Sequence, residues 1–75
     1  MHADPVRKRS LTLAGHRTSI SLEDAFWDAL QEIAAARGIT MTALVREVDE
    51  ARGITPLSQS LRVHALNWYR ARDRH

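Results

Sequence analysis

The chain has 75 residues, a net charge of +2, 44% hydrophobic residues and no cysteine. Eleven of the hydrophobic residues are alanine, so the core is small, and domains of this size usually need a partner or a cross-link. The missing cysteines exclude disulfides and thiolate metal sites. We therefore expect a single domain over residues 1–75 that oligomerises, lies in the cytoplasm and has neither a signal peptide nor a membrane span.

Positive charge is concentrated at both ends of the chain. Residues 1–20 sum to +3, residues 21–52 to −4 and residues 53–75 to +3. Ten of the eleven cations are arginine, whose planar guanidinium suits phosphate groups and the edge of guanine. The pattern indicates either a nucleic-acid partner or ordinary solvated basic ends, with a basic N-terminal arm over residues 1–9.

Residues 17–21 alternate in polarity, which predicts a short strand. One face carries Thr18, Ile20 and Leu22, and the other carries Arg17, Ser19 and Ser21. Residues 10–13 alternate as well, and residues 14–16 could turn or bulge between the two stretches. We expect one strand per chain, at 17–21. A lone strand leaves its backbone groups unpaired, so it predicts antiparallel pairing with the strand of a second copy.

Three helices are predicted after the strand. The first spans residues 22–37, with apolar residues at helical spacing, Ser21 as N-cap and Gly38 as stop signal. The second spans 40–52, with Thr40 as N-cap. The third spans 56–71 and starts at a proline, which suits the first helical position. The expected fold class is mostly α with one short strand per chain and a third, C-terminal helix.

Three segments of the chain resemble a ribbon-helix-helix DNA-binding domain of the Arc/MetJ/CopG type: RTSISLED at 17–24, the helix at 26–36, and RGITMTALV at 37–45. Residues 8–19 resemble a bacterial subgroup with a short N-terminal extension and an extra helix. The resemblance implies an intertwined homodimer whose two-stranded antiparallel ribbon, one strand from each copy, enters the major groove of double-stranded DNA. It also implies a sequence-specific transcriptional regulator that acts as a repressor.

The resemblance assigns roles to three groups of residues. Base edges would be read by the outward face of the strand, Arg17, Ser19 and Ser21. Phosphate would be bound by the backbone N–H groups at the start of the second helix, Thr40, Met41 and Thr42, where the helix dipole favours an anion. Further phosphate contacts would come from the N-terminal arm, Arg7, Lys8 and Arg9.

Other functions have less support in the sequence. It has no nucleophile motif and no glycine-rich phosphate loop, so we expect no enzyme and no cofactor. Its four histidines form no closely spaced pair, so we expect no metal site. The alternative is a protein-interaction module or antitoxin-like adaptor on the same fold. A second protein would then bind a patch on the third helix, Trp68, Tyr69 and Arg70; otherwise Trp68 covers the core and Tyr69 lies at its rim.

Overall fold

The computed structural model describes residues 5–73 and consists of a β-hairpin followed by three helices. Strand β1 spans Val6–Leu13 and strand β2 spans His16–Glu23. Helix α1 spans Asp24–Arg37, α2 spans Met41–Ala51 and α3 spans Leu57–Arg72. The expected class, a ribbon followed by two helices and an added C-terminal helix, is confirmed.

The strand count differs from the expectation, because β1 and β2 of the same chain pair with each other. A two-residue turn joins them, with φ of 50° at Ala14 and 83° at Gly15. Positive φ at both positions is typical of a type I′ turn, whose twist matches that of a hairpin. Pairing across so short a loop satisfies the backbone groups on the facing edges of the two strands at a small entropic cost. Residues 6–9 of the expected basic arm therefore belong to a strand, and residues 1–4 lie outside the described residues.

Helix α1 begins at Asp24 rather than at residue 22, because the strand alternation continues through Leu22. The side chain of Leu22 is fully buried, and its backbone lies opposite Arg7 in the hairpin. Ser21 consequently lies within β2 and does not cap α1. The N-cap is Glu23, whose side chain makes no capping hydrogen bond.

The remaining helix ends follow the predicted signals closely. At the end of α1, Gly38 has φ of 70°, and the N–H of Ile39 donates to the carbonyl of Ala34 at 2.9 Å, as in a Schellman motif. Thr40 caps α2, since its Oγ1 accepts from the N–H of Ala43 at 3.0 Å. In α3 the first helical residue is Leu57, one position later than expected, and Pro56 is the N-cap.

The core lies between the inward face of the hairpin and the three helices. Helix α3 packs against α1, α2 and β2, so the added helix covers the core within one chain. Within the described residues 5–73, no helix combines the length and hydrophobicity that crossing a bilayer requires. The largest fully buried side chains come from β2 and from all three helices: Ile20, Leu22, Leu30, Ile33, Leu44, Val45 and Leu61.

Candidate nucleic-acid interface

The hairpin turns a continuous polar face away from the helices, which we call the outer ribbon face. Successive cross-strand pairs point alternately to the two sides of the hairpin, because the strands are pleated. The inward side carries Leu13, Ile20 and Leu22, all buried. The outer ribbon face consists of three polar cross-strand pairs: Lys8 with Ser21, Ser10 with Ser19, and Thr12 with Arg17. The fourth pair on this side, Val6 with Glu23, lies next to them at the open end of the hairpin.

The dimensions of this face suit the major groove of B-DNA. Its two strands lie about 4.8 Å apart, and a groove about 12 Å wide admits a two-stranded ribbon. Its two cations, Lys8 and Arg17, occupy opposite ends of the face, separated by two intervals of two residues. That separation is about 13 Å along the strands, close to the rise of about four base pairs. Between the cations lie only short hydroxyl side chains.

Arg7 and Arg9 lie on the other side of the hairpin and bind the start of α1. Asp24 forms ion pairs with both guanidinium groups: its carboxylate is 3.2 Å from Nε of Arg7 and accepts a hydrogen bond from Nη2 of Arg9 at 2.8 Å. The guanidinium of Arg9 also stacks on Trp27, 4.6 Å from the ring centroid, within the range of a cation–π interaction. These two arginines therefore fix the hairpin on α1, and their predicted contact with phosphate stays a prediction.

The second acidic residue at this junction is neutralised by α3. Arg62 donates to the carboxylate of Glu23 from Nε at 3.0 Å and from Nη2 at 2.9 Å. A hydrogen bond from its own backbone and the bond from Arg62 hold the pKa of Glu23 below its ordinary value of 4.5. Both carboxylates beside the hairpin are thus bound by arginine, which limits their repulsion of a polyanion.

The cations of the outer ribbon face remain available to a partner. Among residues 5–73, Lys8 and Arg17 form no ion pair, although both neighbours of Lys8 do. Both side chains are exposed. The hairpin therefore divides its four cations by face: two bind Asp24, and two project from the polar side with unneutralised charge.

The start of α2 does not line the groove beside Arg17. The hydroxyl of Thr40 serves as the N-cap, and the N–H groups of Met41 and Thr42 belong to the first turn, where no intrahelical acceptor exists. A groove of about 390 Å³ beside Arg17 is lined instead by the C-terminal half of α2, including Asp49. The structure brings Arg17, Ser19 and Ser21 together on one face, and the α2 start is not among the residues of that groove.

The three residues of the predicted partner patch on α3 point in different directions. Trp68 is half-buried and packs against the core, with the guanidinium of Arg72 5.4 Å from its ring. Tyr69 donates to Glu32 at 2.7 Å, and this hydrogen bond raises the pKa of Tyr69. Arg70 is exposed. This arrangement matches the interpretation in which Trp68 covers the core and Tyr69 lies at its rim.

The outer ribbon face also contains Ser10 and Thr12, which are not among the residues that the sequence predicts to contact DNA. The alternation of residues 10–13 and the two residues between Leu13 and His16 carry the relevant signal. A two-residue turn fixes the register of a hairpin, and this register brings Ser10 and Thr12 beside Ser19 and Arg17.

Comparison with known proteins agrees with this architecture. A family model described as a ribbon-helix-helix domain matches residues 6–69. The chain belongs to the ribbon-helix-helix family. Members of this family are DNA-binding regulators, and membership also suggests dimerisation.

A solved structure resembles most of this chain. It is that of an uncharacterized protein from Bordetella pertussis Tohama I, which is 42% identical in sequence and superposes with a TM-score of 0.72. The match covers 85% of this chain and 55% of that protein, so this ribbon-helix-helix chain spans about half the length of its relative. No curated protein matches the chain.

Proposed function

We propose that this ribbon-helix-helix protein binds double-stranded DNA in a sequence-specific manner, as a homodimer, and represses transcription by occluding its operator in the cytoplasm. The observation that carries the proposal is the outer ribbon face. Its three cross-strand pairs are polar, with Val6 and Glu23 next to them at the open end of the hairpin. The face is narrow enough for the major groove and carries the two hairpin cations that have no ion pair among the described residues.

Each side chain of the face has a chemical role in this proposal. Arg17 donates two hydrogen bonds to O6 and N7 of guanine, the commonest specific contact in the major groove. Lys8, at the opposite end of the face, binds a second guanine edge or a phosphate as a point charge. The hydroxyl groups of Ser10, Ser19 and Ser21 donate to or accept from the bases between them.

Within one chain the hairpin supplies two strands that are not related by two-fold symmetry. The two ends of the outer ribbon face carry different cross-strand pairs, because Lys8 lies opposite Ser21 and Arg17 lies opposite Thr12. Each hairpin therefore reads a short asymmetric sequence, and a dimer reads two such half-sites. The N–H groups of Met41 and Thr42 add contacts to the backbone, since a helix N-terminus favours phosphate.

The test is selection from a random duplex library followed by fluorescence anisotropy on the selected duplex and a scrambled control. Each duplex is measured at two salt concentrations, because counterion release weakens non-specific binding steeply as salt rises. We expect the selected duplex to bind more tightly and to retain its advantage at the higher salt. Equal affinity for both duplexes would refute sequence reading, and no binding at the lower salt would refute DNA binding altogether.

A further inference from the structure

One carboxylate at the start of α1 holds half of the positive charge of the hairpin. The two strands carry four arginine and lysine side chains, and Asp24 forms ion pairs with two of them, Arg7 and Arg9. Both arginines belong to β1, an outer strand of the two-stranded sheet. The carboxylate therefore draws toward α1 two cations that stand at an edge of the ribbon.

We propose that Asp24 competes with the DNA backbone for Arg7, and that the guanidinium of Arg7 becomes a phosphate ligand when this carboxylate is removed. The inference rests on the DNA binding of the proposed function and identifies a residue that limits its strength. The major groove is about 12 Å wide and about 8.5 Å deep, so a ribbon seated in it has phosphates beside its edges. Asp24 is a positioning residue in this scheme, since it acts on DNA binding only through Arg7.

Arg7 is the arginine that Asp24 can release, because little else holds it. Its side chain is 62% exposed, and its ion pair with Asp24 spans 3.2 Å. Within residues 5–73 Arg7 has no second acidic partner. Arg9 differs, since its guanidinium also stacks on Trp27 at 4.6 Å and its Nε is buried. Loss of the Asp24 carboxylate therefore frees Arg7 and leaves Arg9 on the aromatic ring.

The neighbouring carboxylates do not replace Asp24 as a partner for Arg7. Glu23 is held by the guanidinium of Arg62, 3.0 Å from Nε and 2.9 Å from Nη2. Asp28 is exposed and lies one helical turn further along α1, away from the hairpin. With Glu23 engaged and Asp28 more distant, a DNA phosphate is the anion that a freed Arg7 meets in the complex.

The expected effect on DNA binding has a definite sign. A phosphate contact carries no sequence information, so a freed Arg7 strengthens binding to every duplex by the same factor. One added contact steepens the salt slope by about 0.9, which makes the affinity fall about 3.5-fold more between 50 and 200 mM salt. If Asp24 only fixed the hairpin in place, its loss would have the opposite sign, because a displaced hairpin loses base contacts and binds the selected duplex more weakly.

The deciding experiment is fluorescence anisotropy of the full chain on the selected and scrambled duplexes between 50 and 200 mM salt. Asp24→Asn removes the charge and keeps the size of the side chain. Asp28→Asn is the matched control, because it removes the same charge from an exposed position of α1 that forms no ion pair with the described residues. We expect Asp24→Asn to bind both duplexes more tightly, with a slope steeper by about 0.9 and an unchanged affinity ratio. Asp28→Asn should keep the wild-type slope.

A second substitution shows whether Arg7 makes the added contact. Arg7→Ala should leave the salt slope of the wild type unchanged and should return the slope of Asp24→Asn to the wild-type value. Asp24→Ala, which also removes the hydrogen-bond acceptor, should behave like Asp24→Asn, so the test does not depend on one variant. Circular dichroism confirms that each variant is folded.

Three results would overturn the proposal. They are an unchanged slope in both Asp24 variants, a steeper slope that persists after Arg7→Ala, and weaker binding of the selected duplex alone. The last of these would assign Asp24 a purely structural role. Failure of DNA binding itself is a separate result, because the wild type would then bind neither duplex at 50 mM salt; a wild type that binds alongside indistinguishable Asp24 variants would refute only the competition.

Discussion

The two faces of the hairpin provide a sharp test of DNA reading, because Arg17 and Arg7 carry the same charge on opposite sides of one ribbon. Arg17 projects from the outer ribbon face and forms no ion pair with the described residues. Arg7 is bound to Asp24 at 3.2 Å. Alanine at either position removes one positive charge from the same hairpin, so any difference between the variants reports position rather than net charge.

The magnitude follows from the contact that each residue makes. A bidentate arginine–guanine pair contributes about 1–3 kcal/mol of discrimination against the wrong base, so Arg17→Ala should lower the preference for the selected duplex by about 5- to 150-fold. The stability of the protein should hardly change, because Arg17 has no partner to lose. Arg7→Ala loses one side of an exposed ion pair, worth about 1 kcal/mol or less, while Arg9 still binds Asp24 at 2.8 Å.

The assay is the ratio of affinities for the selected and scrambled duplexes, measured by anisotropy as a function of salt. A base contact lowers this ratio and leaves the salt slope unchanged. A phosphate contact weakens binding to both duplexes and flattens the slope by about 0.9. The reasoning would be refuted if Arg7→Ala lowered the ratio as much as Arg17→Ala, or if Arg17→Ala left the ratio unchanged.

Three further predictions concern the elements that hold this face in place. Ala14→Asn should stabilise the protein by about 0.5–1 kcal/mol, because asparagine tolerates the left-handed φ of the turn better than alanine; an unchanged or lower melting temperature would contradict this. Thr40→Ala should cost about 1 kcal/mol through loss of the α2 cap, and Thr42→Ala, in the same first turn with no capping role, should cost much less in the same urea titration. The lowered pKa of Glu23 means that its stabilisation is present above its ordinary value of 4.5 and is lost as the pH falls through the lower folded value. The unfolding free energy of Glu23→Gln should therefore decrease less on acidification than that of the wild type, and parallel pH profiles would rule out this linkage.

The sequence by itself determined the helices and the polar side of β2. Helical spacing of apolar residues and local stop signals depend on residues a few positions apart, so Gly38 and Thr40 marked helix ends that the structure confirms. The alternation in β2 similarly placed Arg17, Ser19 and Ser21 on one face, because successive side chains of a strand point to opposite sides. These features are local, and one stretch of chain contains all the information they require.

Tertiary structure decided the pairing of the strands and the fate of the basic residues. The alternation at 10–13 does not by itself show what that stretch pairs with, and closure of the chain at Ala14 places it beside β2. Likewise, Arg7, Lys8 and Arg9 form one basic run in the sequence, but the pleat sends Lys8 to the outer ribbon face. The side chains of Arg7 and Arg9 point to the opposite side of the hairpin, where both bind Asp24, a residue 15 or more positions away. Contacts between distant parts of the chain set which charges are neutralised, and no local pattern encodes them.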